Sequence, residues 1–441
     1  MHQLAHEFTS RKVSPWGGIK FFHRTYQSTG LPQYLSDLDL PFPQSNRGFS
    51  PIDLIEGFMV SVVLGSRRLA HSGMMRTDEV IQSIFGWQKG MASASTFSRF
   101  FSKFDIDRND SVFPAMMKYW FDQMSLKKMT VDIDSTIITR YGHQQGVEKG
   151  YNPGKRGAVS HHPLMAFCDE LKMVLNAWMR SGDSHSAQDA VGFLEELLEI
   201  VCPSRIGLIR GDSGFYSDKI FRLLEDRPKA VSYLVKAKMT TRLRTAILSI
   251  EDWHGSHEVR RGNSYSEIYY QAQGWKNPRR IIIVRQPIKK ENKQSKLFRE
   301  DQDLAQFDYY AFVTNTNLAA VKVHALYNQR ADCENRIKEL KYDYSIDGFA
   351  LQDFAAMEAA FRFIMVAYNI MALFRQQVMV SPKAHQLSTI RFQCIAIGSY
   401  LVKSGRNKKM KLAAEGKRRH FLEHFFDNLE LLKPPFQIPI A

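Results

Sequence analysis

A chain of 441 residues with 44% hydrophobic and 12% aromatic content can bury two or three domains' worth of core, which excludes a disordered or fibrous protein. Sixty Lys and Arg against 45 Asp and Glu leave a net charge of +15, which points to a polyanionic partner, nucleic acid before a membrane surface. Four cysteines (Cys168, Cys202, Cys333, Cys394) stand far apart with no C-x-x-C pair, which argues against a zinc site or disulfide framework and for a reducing cytoplasm.

Residues 1 to about 45 are rich in Pro, Gly and Ser with scattered aromatics, and predict an extended arm with one short helix. Residues 1–7 lack the apolar run of a secretory signal. At Pro51 the pattern turns helical, with Ser50 as cap and Ile52, Ile55, Phe58, Met59 and Val62 at helical spacing. Helices are predicted over 77–85 behind Thr77, over 95–104 behind Ser95, and over 111–124. The first two of these are joined by a Gly-containing loop, and the second carries Ser98, Arg99 and Lys103. The pair suits a helix-turn-helix reading the major groove, although its loop is longer than the usual turn; a packed helical subdomain is the alternative.

Over 129–134 the period becomes two. Met129, Val131 and Ile133 take one face of a strand, and Thr130, Asp132 and Asp134 the other. Two carboxylates on one face repel each other and make a poor core unless a cation or water compensates. A polar loop over 141–157 follows, with His143, Lys149, Lys155 and Arg156. Strands are predicted over 164–168 and 173–179, and a helix over 187–201. Residues 206–217 read as a short apolar strand ending at Asp212, a Gly turn, and a helix behind Ser217. A strand over 231–235 follows. More β-structure is predicted over 257–260, 266–271, 280–285 and 309–314, with basic turns at 276–280 and 289–296. Trp253, Trp275 and Tyr269 or Tyr270 are either core aromatics, the commoner case, or platforms for an unpaired base.

Residues 327–341 lack Gly and Pro and predict one helix. At 100° per residue, Tyr327, Arg330, Glu334, Lys338 and Lys341 share a face within about 80° of arc, while Asp332 and Glu339 point elsewhere. One carboxylate among cations, beside an aromatic hydroxyl, suits a metal ligand flanked by phosphate-binding groups. A solvated helix with ordinary salt bridges is the plainer alternative. Residues 354–374 predict a long apolar helix that covers the sheet; Glu358 and Arg362 break it as a membrane span. Another helix is predicted over 386–400. Lys403, Arg406, Lys408, Lys409 and Lys411, then Lys417, Arg418 and Arg419, form two basic clusters suited to phosphates as well as to a solvated face.

Tyr327, Arg330, Glu334 and Lys341 match Tyr-x2-Arg-x3-Glu-x6-Lys. This resembles the signature around the third catalytic acid of bacterial insertion-sequence DDE transposases of the cut-and-paste type. The order of three strands, helix, strand, helix, strand resembles a ribonuclease-H-like core, with one acid on its first strand and another at the end of its fourth. Asp134 and Asp212 occupy those places. In that family small hydroxyl residues follow the first acid, and Ser135 and Thr136 favour Asp134, with Asp132 as the alternative or a supporting residue.

The resemblance implies an α/β (α+β) protein in five parts. A helical N-terminal DNA-binding domain spans 1–125, and the ribonuclease-H-like core spans 126–236 and 307–376. A β-rich insertion over 237–306 interrupts the core, and a basic C-terminal region covers 377–441. It implies Asp134, Asp212 and Glu334 as catalytic acids that hold two Mg²⁺ ions, with Mn²⁺ able to substitute, for phosphoryl transfer. Tyr327, Arg330, Lys338 and Lys341 would bind phosphates near the scissile bond. Arg99, Lys103, Lys155, Arg156, Arg406, Lys408 and Lys409 are the further DNA contacts expected. The expected partners are double-stranded DNA, as element ends and target, and a second copy of the chain in the DNA complex. The expected setting is the bacterial cytoplasm, associated with the nucleoid, without a membrane. A ribonuclease-H-like nuclease or resolvase, and a non-catalytic DNA-binding domesticated transposase, are the alternatives.

Overall fold

The computed structural model describes residues 4–43, 47–184, 188–255, 262–288, 307–381, 385–405 and 407–437. Among the described residues a nine-stranded mixed sheet forms the centre. Its strands are β1 (Met129–Ser135), β2 (Leu164–Cys168), β3 (Met173–Trp178), β4 (Ile206–Gly211), β5 (Tyr233–Lys236), β6 (His254–Gly255), β7 (Ser264–Tyr270), β8 (Arg279–Pro287) and β9 (Phe307–Thr314). Across the sheet they run β6-β7-β8-β9-β5-β4-β1-β2-β3. β1 pairs antiparallel with β2, and β2 with β3. β4 lies parallel to β1, and β5 parallel to β4. β6 to β9 are antiparallel, and β9 pairs with β5.

The apolar runs explain the placement. Every residue of β2 is buried, as expected of an inner strand covered on both faces. Helix Ala190–Ile200 buries Phe193, Leu194, Leu197 and Leu198, and it packs on β3 together with helix Phe354–Leu373. The β-structure expected between Asp212 and Glu334 forms no separate sheet; β6 to β9 extend the central one beyond β5. The strand expected at 257–260 and the basic turn at 289–296 lie outside the described residues. Arg279, expected in a turn, belongs to β8, as does Arg280, expected where that turn meets the strand over 280–285.

Several local expectations are corrected. Much of the N-terminal stretch is packed helix, not an extended arm. Helices Ile19–Ser28 and Leu31–Ser36 bury Ile19, Phe21, Phe22, Tyr26, Leu31 and Leu35 in the main core. Gly30, at φ 66°, makes the left-handed turn between them, and Pro32 sits in the second helix's first turn. Helices Glu79–Phe85 and Ala94–Phe101 are capped by Asp78 and Ser93, not by Thr77 and Ser95. Asp78 accepts from two backbone N–H groups, which a Thr hydroxyl reaches less readily. Phe97, Phe100 and Phe101 of the second helix are buried, and Phe101 packs against Phe58 of helix Pro51–Val63 and Phe363 of the long helix. A single hydrophobic cluster therefore runs from the N-terminal helices through the sheet.

The helix expected over 386–400 is also cut short. Leu387–Ile390 is helical, Arg391–Ile395 is a π turn, and Ser399–Ser404 is a strand paired with Asn407–Leu412. Val13–Ser14 adds a third strand to this hairpin. The basic cluster at 403–411 thus lies on a β-hairpin, with Lys408 and Lys409 exposed; Arg406 lies outside the described residues.

Helix Phe354–Leu373, with its continuation to Met379, is long and apolar enough to cross a membrane by length and composition. All of its apolar stretch is buried inside the protein. Glu358 and Arg362 pair within it at 3.0 Å. Asn369, 1% exposed, accepts from the N–H of Val174 and donates to its carbonyl, both at 2.8 Å. It thereby satisfies backbone groups that β3, as an edge strand, leaves open. Replacing Asn369 by Ala strands both groups in the core, each at about 1–3 kcal/mol. Urea unfolding of Asn369→Ala should show a loss of about 2–6 kcal/mol.

Candidate active site

The site begins with the pairing of β1 and β4. Asp132 lies opposite Arg210, and Ile133 opposite Gly211. Side chains alternate along a strand, so Asp132 and Arg210 share a face, and the next residues on that face are Asp134 and Asp212. One rung is an ion pair. The rung after it, at the C-terminal ends of both strands, is a pair of like charges. Gly211 keeps the approach tight, since a Cβ there would stand 3.2 Å from Ile133 and Phe215.

The first rung is fully dry. Arg210 and Asp132 are each 0% exposed and form a two-pronged pair at 2.6 and 2.8 Å. Arg210 also donates to Asp169 at 3.0 Å and to the Leu326 carbonyl at 2.7 Å. Asp132, one of two candidates for the first acid, is thus already committed to a guanidinium.

The second rung is half-buried. Asp212 accepts from the Gly214 N–H at 2.8 Å, which fixes its carboxylate over the turn Ser213–Phe215. Asp134 accepts from the Ser135 N–H at 2.8 Å and pairs with Arg330 at 3.1 Å. Burial pushes the Asp134 carboxyl up to about 6; Arg330 opposes this shift and the like charge of Asp212 adds to it. Arg330 donates a second bond to the Ile133 carbonyl at 3.0 Å, while its buried Nε has no hydrogen-bond partner among the described residues.

Residues 327–341 are not one helix. Helix Ala320–Asn328 carries Tyr327, and helix Ala331–Tyr342 carries Glu334, Lys338 and Lys341. Between them the chain tightens: the N–H groups of Arg330, Asp332 and Cys333 bond to carbonyls three residues back. The single 100° face does not survive this break. Arg330 turns inward onto Asp134. Glu334 and Lys338 are exposed, and Glu334 makes no side-chain hydrogen bond or ion pair among the described residues. Lys341 donates to the Ile137 carbonyl at 3.0 Å, and burial lowers its pKa. Tyr327 packs on Phe312 at 4.6 Å, and burial pushes its hydroxyl up to about 12, so it remains a donor at neutral pH.

The structure therefore gathers Asp134, Asp212, Arg330 and Tyr327, with Lys341 nearby, and leaves Glu334 on the solvent side. Among the described residues no three His, Cys, Asp or Glu side chains are grouped closely enough to hold a metal ion. Arg99, Lys103, Lys155 and Arg156 are exposed and distributed over the helical region and the loop after β1. Lys155 lies over the Tyr141 ring at 4.5 Å. Trp275 is buried between Tyr216, Phe221 and Arg279, whereas Tyr269 is 75% exposed. Sequence reasoning passed over Arg210, Asp169 and Arg336. A lone Arg inside an apolar strand was the available signal, because it demands a buried partner.

A family model described as transposase DDE domain group 1 matches residues 1–434. One solved structure, described as a cryo-EM structure of piggyBac transposase synaptic complex with hairpin DNA, is similar at 11% identity and TM-score 0.43. That similarity covers 96% of this chain and 85% of that chain. No curated protein matches.

The Asp134 carboxyl should titrate with a midpoint of about 6 in carbon-13 NMR of Asp-labelled protein. Asp212→Asn removes the like charge and should move the midpoint down. Arg330→Met removes the cation and should move it up. A midpoint unmoved in both variants would show that the three groups do not share a site.

Proposed function

The chain belongs to the transposase DDE domain group 1 family and is a DNA transposase of the DDE type; from that premise we propose that it cuts the ends of an insertion-sequence element and joins the freed 3′-hydroxyls to target DNA. The observation that carries the proposal is the rung of Asp134 and Asp212 on adjacent parallel strands, with Arg330 and Tyr327 beside it. The bacterial insertion-sequence type rests on the Tyr327, Arg330, Glu334 and Lys341 spacing. A ribonuclease-H-like core is supported by the order β3-β2-β1-β4-β5, antiparallel on one side of β1 and parallel on the other.

The residues suit a hard divalent cation. Asp134 and Asp212 offer oxygen ligands only; burial first, and the like charge of Asp212 after it, raise the Asp134 pKa, and a bound cation would relieve both. Asp134 and Asp212 would hold the ions from the paired strands, and Glu334, exposed on its helix and not grouped with them among the described residues, would have to approach them to complete the set. Two Mg²⁺ ions, or Mn²⁺ in their place, would supply positive charge for in-line displacement at phosphorus when bound. Tyr327 donates to a phosphate oxygen, and Arg330 and Lys341 counter phosphate charge near the scissile bond. Water is the first nucleophile and the 3′-hydroxyl the second, so no side chain forms a bond to DNA. Duplex DNA lies along Arg99, Lys103, Lys155, Arg156, Lys408 and Lys409, and two copies of the chain act on the two ends.

Purified protein, element-end DNA, a target plasmid and Mg²⁺ test this reading beside Asp134→Ala, Asp212→Ala and Glu334→Ala. Each variant should retain end binding and lose both cleavage and joining, as residues acting as a unit lose about as much singly as together. Cleavage without joining would mean a nuclease, and full cleavage by Glu334→Ala would remove Glu334 from the set. End binding should weaken with salt by about 0.9 log units per log unit of salt for each phosphate contacted. A flat dependence would separate the basic surface from DNA.

A further inference from the structure

We propose that Arg210 is a positioning residue: it sets the separation of Asp134 and Asp212 and ties the Glu334 helix to them. The inference rests on the three-acid reading above and deepens it. Arg210 is two residues from Asp212, and its partner Asp132 is two residues from Asp134. The two-pronged pair fixes both the distance and the orientation between β1 and β4 one rung before the acids. A guanidinium fork does this because it is planar; an ammonium on a flexible stem cannot.

The same guanidinium touches the helix that precedes the third acid's helix and reaches the latter through Asp169. It donates to the carbonyl of Leu326, next to Tyr327. It also donates to Asp169, which follows β2 and accepts from Arg336 at 2.8 Å. Arg336 is two residues beyond Glu334 and bonds Asp332 at 2.6 Å and the Cys168 carbonyl at 2.9 Å. Lys172 closes the network, at 2.9 Å from both Asp169 and Asp332. Thus one fully buried cation connects the strand of Asp134, the strand of Asp212 and the helix of Glu334.

Fold stability alone gives a weak account of this arrangement. Buried ion pairs can often be replaced by apolar side chains of equal volume without loss. The neighbouring residues on β4, Ile206, Leu208 and Ile209, show that the strand accommodates such side chains. A charged rung placed directly before the acids is accounted for by what it holds in place.

The test uses the full chain and two variants, Arg210→Lys and Asp169→Asn. Four properties are measured: thermal melting, binding of element-end DNA, Mn²⁺ binding by electron paramagnetic resonance without DNA, and the Mg²⁺ concentration for half-maximal end cleavage. Arg210→Lys should melt cooperatively and bind DNA like the wild type. Its Mn²⁺ affinity should fall about 10–100-fold, as expected when a residue supporting metal ligands is lost, and its Mg²⁺ requirement should rise to match. A folded Arg210→Lys with wild-type Mn²⁺ affinity would overturn the inference. Where Arg210→Lys does not fold, Asp169→Asn decides. It keeps the Asp132 pair and removes the charge and one of the two carboxylate oxygens that join Arg210 to Arg336, and the same loss of Mn²⁺ affinity is expected; wild-type affinity overturns the proposal. Wild-type protein that binds no Mn²⁺ would overturn the three-acid reading and this inference with it, whereas equal binding by wild type and variants would overturn the inference alone.

Discussion

Charge buried in the middle of a sheet must be answered by opposite charge with its hydrogen-bonding positions filled, because the interior does not solvate it. The pairing of β1 with β4 meets that requirement at Asp132 and Arg210. These strands are parallel, so no hairpin aligns them; the chain leaves β1, builds β2, β3 and helix Ala190–Ile200, and returns. A one-residue slip between them would bury both charges without partners and turn Asp134 and Asp212 to opposite faces. The ion pair therefore acts as a register lock, and the geometry of the candidate site follows from it.

The parts of the molecule that were legible in the sequence are those where one periodicity dominates. Strict alternation over 129–134 placed two carboxylates on one face, and the apolar run before Asp212 read as a strand. Helix Phe354–Leu373 was visible because almost nothing polar interrupts it. The illegible parts share a physical cause: tertiary packing overrides local preference. Phe21, Phe22 and Tyr26 look like scattered aromatics in a loose arm, yet Phe22 and Tyr26 stack on each other and Phe21 packs on Phe374, Phe425 and Phe426, some 350 to 400 residues away. Residues 399 and 400 read as the end of a helix over 386–400, but they open a strand because Asn407–Leu412 and Val13–Ser14 supply its ladder. The break at Arg330 has no Gly or Pro to announce it. There the Arg330 guanidinium turns inward and pairs with the half-buried Asp134 carboxylate, a contact that local sequence does not reveal.

The additional strands have a mechanical meaning. β6 to β9 share one continuous set of backbone hydrogen bonds with the acid-bearing strands, through β5. A separate domain on two linkers would be free to swivel; a continued sheet is a stiff plate. The helical region is likewise fused to the sheet by a shared core that includes Phe58, Phe101 and Phe363. Surfaces that lie far apart on this molecule are thus held at fixed distances from Asp134 and Asp212, and DNA bound along them would have to bend to the protein's shape.

The small sheet joining Val13–Ser14 to the hairpin at 399–412 bears on how the chain comes to be folded. Ser399 bonds Ser14 across 385 residues, and the N–H groups of Gly17 and Gly18 bond to the carbonyls of Ile397 and Ile395. Gly18 fits so closely that a Cβ would stand 1.8 Å from the Cys394 carbonyl oxygen. During synthesis residues 13–18 have no ladder partner until the residues 385 positions later have followed, about half a minute afterwards at common translation rates. Closing that gap is therefore a late event of folding, because the contact joins residues so far apart in the chain.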